Sequence, residues 1–156
     1  MNKAIALYLH VHQPYRIRHY TIFDTGCDHN YFNGDRGSQT DNVGIIEKVS
    51  TKSYLPTNKV LLELLNQYPD FHFSLSFTGT ILEQFEQWAP EVLQSFQELV
   101  ATGRVEILGE TYYHSLAFFY SRPEFEKQVA MHKQKIESLF GVTPTSSFIH
   151  RVCLST

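Results

Sequence analysis

Residues 4–12 run AIALYLHVH, nearly continuous in apolar side chains and of strand length, which predicts a first strand covered on both faces. Gln13 and Pro14 then shut it off. Val60, Leu61, Leu64 and Leu65 recur at helical spacing within NKVLLELLNQY, opened by Pro56-Thr57 and stopped by Pro69. The stretch FHFSLSF at 71–77 alternates Phe71, Phe73, Leu75 and Phe77 with His72, Ser74 and Ser76, the period of a second strand. From Ile81 to Ala101 the steps of three and four return, broken at Pro90, so two helical pieces are expected. RVEIL at 104–108 is a third short strand ending at Gly109, and Glu124 to Phe140 is an amphipathic helix capped by Gly141.

Between the first strand and the first long helix, Tyr15 to about Lys52 is rich in Asp, Asn, Gly and Thr. That is too long for an ordinary connector, and only a short helix near Asn42 to Ser50 is expected within it. Strands alternating with helices favour a parallel sheet with helices outside, either doubly wound or part of a β/α barrel. In both architectures, chemistry gathers at the carboxyl ends of the strands.

Composition narrows the function classes. A chain of 156 residues, 42% hydrophobic and 14% aromatic, fills one ordinary core. The net charge is −3 and the 13 Lys and Arg are scattered, so no basic stripe offers itself to nucleic acid. Cys27 and Cys153 lie far apart without a Cys-x-x-Cys spacing, which argues against a disulfide framework and fits a reducing compartment. With no stretch of ~20 apolar residues and no cleavable leader pattern, the expectation is a soluble, cytoplasmic protein without a membrane partner.

Candidate chemistry sits at the predicted strand ends. His10 and His12 share one face with Cα atoms ~6.6 Å apart. Glu106 lies in the third strand on the face opposite Val105 and Ile107, where a carboxylate needs a partner; a structural bond to a neighbouring strand and a ligand-binding role weigh equally. Glu110 follows four residues later, so two carboxylates on extended backbone would start ~13 Å apart, too far for a retaining glycosidase pair. His-x-His could also hold a metal, although no His-x-x-x-His exists and two ligands are not a site; core histidines bonded to backbone are the bland competitor. Tyr112, Tyr113, Phe118, Phe119 and Tyr120 could stack on a sugar, but aromatics there are more often core. Trp88 reads as packing and His72 as a structural polar residue. No phosphate loop or nucleophile elbow is present.

Taken together, HVHQPYR at 10–16 and GRVEILGETYYHSL at 103–116 resemble the first two signature regions of family-57 glycoside hydrolases, the α-amylase-like branch. The resemblance spans about Ile5 to Thr145. It implies the amino-terminal portion of an incomplete (β/α)7 barrel, with three to four parallel strands and outer helices, acting on α-glucans by a retaining mechanism without a cofactor. It also implies that His10, His12, Gln13, Glu106, Glu110 and Tyr112 contact or frame the sugar, with no metal ligand among them. The family's nucleophilic Glu follows a Thr-Pro-Thr turn and its acid/base Asp comes later. Here GVTPT is followed by SSFIHRVCLST, so both catalytic carboxylates are missing from these residues. Residues 1–145 are therefore expected to be partial barrel and 146–156 an aberrant, frameshifted tail, since a one-nucleotide shift can spell Thr-Glu there. A chain of this kind should be inert alone and should self-associate through its open barrel edges. A metal-dependent polysaccharide deacetylase, with His10 and His12 as ligands, and a non-catalytic glycan-binding module are the alternatives.

Overall fold

The alternation in FSLSF builds a sheet with two unlike faces. In the computed structural model, which describes residues 5–32 and 34–146, the strands are β1 (Tyr8–Val11), β2 (Phe73–Phe77) and β3 (Val105–Leu108). They are parallel, in the order β1-β2-β3. Val11, Phe73, Leu75, Phe77, Val105 and Ile107 point to one side and form the core with the helices. Full burial of a side chain such as Leu75 or Phe77 is worth about 1.5–3 kcal/mol, which fixes this face. Period two then sends Tyr8, His10, Ser74, Ser76 and Glu106 to the other side.

The helices are α1 (Asn42–Val49), α2 (Leu55–Gln67), α3 (Gly79–Trp88), α4 (Pro90–Ala101), α5 (Ala117–Tyr120) and α6 (Arg122–Phe140). Pro90 starts α4 where its missing N–H costs nothing, which splits the apolar run from α3 as expected. Gly141, at φ 68°, ends α6 in the left-handed conformation that favours glycine. Near Pro56 the structure departs from the sequence reading. The helix does not open there; it continues from α1 through a π-helical turn at Ser50–Tyr54. A proline within a helix leaves the carbonyl one turn before it unbonded and crowds it, and a widened turn accommodates both.

Residues 12–41 form the long excursion, with a 3-10 turn at Ile22–Asp24 among the described residues. Buried Asn42 ties it to the body: its Oδ1 accepts from Arg16 N at 2.9 Å, and its Nδ2 donates to Arg16 O at 2.9 Å and Phe32 O at 2.6 Å. After α6 the chain returns to β3, where Gly109 N donates to Ser146 O at 2.8 Å. That is the place a fourth strand would occupy. The tail at 147–156, with Cys153, lies outside the described residues. No helix among the described residues is long and apolar enough to cross a membrane.

Candidate functional site

Register decides which side chains meet. His10 stands opposite Ser76, and its Nδ1 shares a 2.6 Å hydrogen bond with Ser76 Oγ, which also bonds Tyr8 Oη at 2.7 Å. His12, just past the end of β1, shares a 2.9 Å bond between Nδ1 and Thr78 Oγ1. Thr78 is fully buried and also caps α3, accepting from Ile81 N. Serine and threonine at the end of β2 thus set the orientation of both imidazoles, whose rings lie 5.9 Å apart. These partners were legible in the alternation of FSLSFT, but sequence reading stopped at the histidines.

The turn after β3 supplies the rest. His114 N donates to Thr111 O at 3.1 Å, and His114 takes the left-handed φ of 53°, an unusual conformation for histidine. Ser115 N donates to Thr111 Oγ1 and Ser115 Oγ to Gln128 of α6, pinning the turn to the body. The His114 ring lies 4.9 Å from that of His10 and 4.8 Å from that of His12. Glu110 sits beneath, 5% exposed, with Oε2 3.5 Å from His114 Nδ1 and 3.9 Å from His10 Nδ1. Its Oε1 is buried without a hydrogen-bond partner.

Burial pushes the Glu110 carboxyl up to about 8. Burial, and after it the neighbouring His114 and Arg16, pushes the His12 imidazole below its ordinary value. At neutral pH the Glu110 carboxyl therefore keeps its proton. His10, Glu110 and His114 each offer a ligand atom, all within 4.8 Å of one another. Such a group can donate and accept hydrogen bonds at sugar hydroxyls, pass a proton, or hold a cation.

The structure redistributes the residues expected to gather here. Glu106 was expected beside His10 and His12. It shares their sheet face, but it pairs with Ser74, opposite Tyr8, a level below His10, and its Oε2 accepts from Ser74 Oγ at 3.4 Å. The sequence gives strand faces but not stagger, and the stagger places Glu110 rather than Glu106 at the histidines. Gln13 Oε1 accepts from Arg16 at 3.0 Å, and its carbonyl accepts from Gln84 Nε2 at 2.8 Å, so it shapes the turn after β1. Tyr112 turns away from the imidazoles: it is 6% exposed, packs its ring on Gly79 and donates its hydroxyl to Glu83 at 2.6 Å.

Phe118, Phe119 and Tyr120 are 53%, 55% and 86% exposed, so the core reading fails for them. His72 is exposed and bonded to Asp70 O at 3.0 Å. Trp88 packs against the core and edge-on to Tyr15, as expected. His114 was missed. Its signal was the Glu-x-x-x-His spacing in GETYYHS.

A protein of Methanocaldococcus jannaschii named "Putative alpha-amylase" is 41% identical over 101 residues, 64% of this chain and 21% of that protein. A 4-alpha-glucanotransferase of Thermococcus litoralis is 24% identical over 95 residues, 61% of this chain and 14% of its own. The crystal structure of 4-alpha-glucanotransferase from the latter organism matches 91% of this chain and 18% of its own, with a TM-score of 0.60 and 20% identity, which shows a shared fold. This chain therefore spans about a fifth or less of the length of these relatives. The three parallel strands and outer helices are a portion of the incomplete (β/α)7 barrel. The model of glycosyl hydrolase family 57 matches residues 6–150, and the chain belongs to that family.

Proposed function

We propose that these residues form the amino-terminal part of a retaining, α-glucan-acting glycoside hydrolase of α-amylase or 4-α-glucanotransferase type, working in the cytoplasm. The observation that carries the reading is the convergence of His10, His12, His114 and Glu110 at the carboxyl end of the sheet. Barrel enzymes of this construction bind substrate at that end. Three imidazoles and a carboxyl supply directional donors and acceptors for neighbouring sugar hydroxyls, and they offer no fixed positive charge for phosphate.

In this reading His10, His12 and Glu110 contact the sugar. Glu106 extends the polar face below them, and Gln13 and Tyr112 frame it through the turn after β1 and the contact with α3. The nucleophilic Glu and the acid/base Asp lie outside these 156 residues, so the chain alone binds but does not cleave.

Two measurements test this. Native electrophoresis through soluble starch should retard the chain, with His12→Ala restoring its free mobility. Pure chain should release no reducing sugar from starch. Hydrolysis by the chain alone, or mobility indifferent to starch, would overturn the reading.

A further inference from the structure

His12 opens the excursion after β1 and His114 lies in the turn after β3, yet their rings stand 4.8 Å apart. That separation is set by whatever both loops are fastened to, and both are fastened to the first turns of α3. Thr78, which caps the helix, shares its hydroxyl bond with His12. Gln84 Nε2 donates to Gln13 O at 2.8 Å, and Gly79 N donates to Tyr112 O at 2.7 Å.

Glu83 stands among these contacts, half-buried, and reaches both loops with one carboxylate. Its Oε1 accepts from the Tyr112 hydroxyl at 2.6 Å, the length of a charge-assisted bond. The helix period makes this possible: Gly79 and Glu83 lie four residues apart on one face, so the Tyr112 ring packs on the glycine while its hydroxyl meets the acid one turn later. Tyr15 approaches from the other loop, with its ring edge-on to Trp88 of the same helix. Burial first, then the charge of Glu83 and a hydrogen bond to it, push the Tyr15 hydroxyl up to about 12.

We propose that Glu83 is a positioning residue: its carboxylate bridges Tyr15 and Tyr112, and so holds His12 and His114 at the mutual distance at which both meet one stretch of sugar. Glu83 acts through the tyrosines and does not itself touch the sugar. The held distance is a property of the sugar-free protein. Only its consequence for binding rests on the glucan reading, so the two fail separately. Glu86, further along the same helix, is bonded instead to Lys135 of α6, which makes it the natural control.

The test is a nuclear Overhauser spectrum of the sugar-free 156-residue chain. A cross-peak should join the ring protons of His12 and His114, and Glu83→Ala should abolish it. Glu83→Gln, whose amide can accept from Tyr112 and donate to Tyr15, should restore it. Glu86→Ala removes an ion pair from α3 and should leave the cross-peak in place, whereas general loosening of the helix would erase it in both alanine variants. Circular dichroism reports whether each variant folds. If Glu83→Ala does not, the double variant Tyr15→Phe and Tyr112→Phe, which removes only two hydroxyls, should lose the cross-peak and decides the matter. In calorimetry Glu83→Ala should weaken maltoheptaose about three- to tenfold, the loss of roughly one sugar hydrogen bond. A wild-type chain that binds no maltoheptaose contradicts the glucan reading and leaves the ring distance to decide this one. A wild-type spectrum without the cross-peak, a cross-peak that survives in folded Glu83→Ala or in the double variant, or one that Glu86→Ala abolishes as well, overturns the proposal.

Discussion

Single side chains determine how closely the elements around the site approach one another. A Cβ on Gly79 would stand 2.4 Å from the Tyr112 ring, and Gly79 N donates to Tyr112 O at 2.7 Å. Gly79→Ala should therefore cost about 1–3 kcal/mol in urea unfolding, because the tyrosine is held at both its carbonyl and its hydroxyl and cannot slide away. A tolerated alanine would show that this contact is loose. His132 makes a second prediction at this scale. It is buried, bonds Phe77 O through Nε2 at 2.7 Å, and its pKa is lowered by burial. The unfolded chain takes up that proton first, near pH 6.5, so this stability is whole above that pH and is lost as pH falls below it. Burial of His12 acts with the same sign. His132→Gln, which can still donate to Phe77 O, should flatten part of the loss between pH 7 and about 5 in thermal melts. An unchanged pH slope would contradict the assignment.

At the scale of elements, the Asn42 amide ties the long excursion to α1, beside the Arg36–Glu47 ion pair. Asn42→Ala removes three hydrogen bonds and leaves Arg16 and Phe32 backbone groups unpaired, for an expected loss of about 2–3 kcal/mol. Limited proteolysis should then cut within residues 15–40 of the variant before it cuts the helices, and equal resistance in both proteins would argue that other contacts hold the segment. The same scale shows what a sequence discloses. Strands and helices emerged because FSLSF, RVEIL and the runs of α2, α4 and α6 each carry one clear period, and Pro90 and Gly141 mark their ends by their own geometry. Hidden from that reading was anything set by how elements slide past one another. Stagger exchanged Glu106 for Glu110 at the histidines, and a non-glycine left-handed turn brought in His114. The π turn before Pro56 was equally hidden, since proline reads as a helix start whether or not a helix precedes it.

As a whole molecule, the described chain is a sheet covered on one side. Leu75 and Phe77 are sealed against the helices, while His10 and Glu106 on the opposite face are exposed, as are Leu116, Phe118, Phe119 and Tyr120 beyond β3. Three strands also present two edges that a closed barrel would not have. The pure 156-residue chain should consequently sediment as dimers or larger species, with a mass that rises with concentration in analytical ultracentrifugation. A monomer that melts in one sharp transition would contradict that expectation. The central claim is that the imidazoles at the strand ends face bound α-glucan, and histidine ring resonances report on it directly. In two-dimensional NMR, titration with maltoheptaose should shift the ring signals of His10, His12 and His114 together while leaving His72 and His132 in place. Shifts confined to other histidines, or none in a folded sample at saturating sugar, would contradict the account.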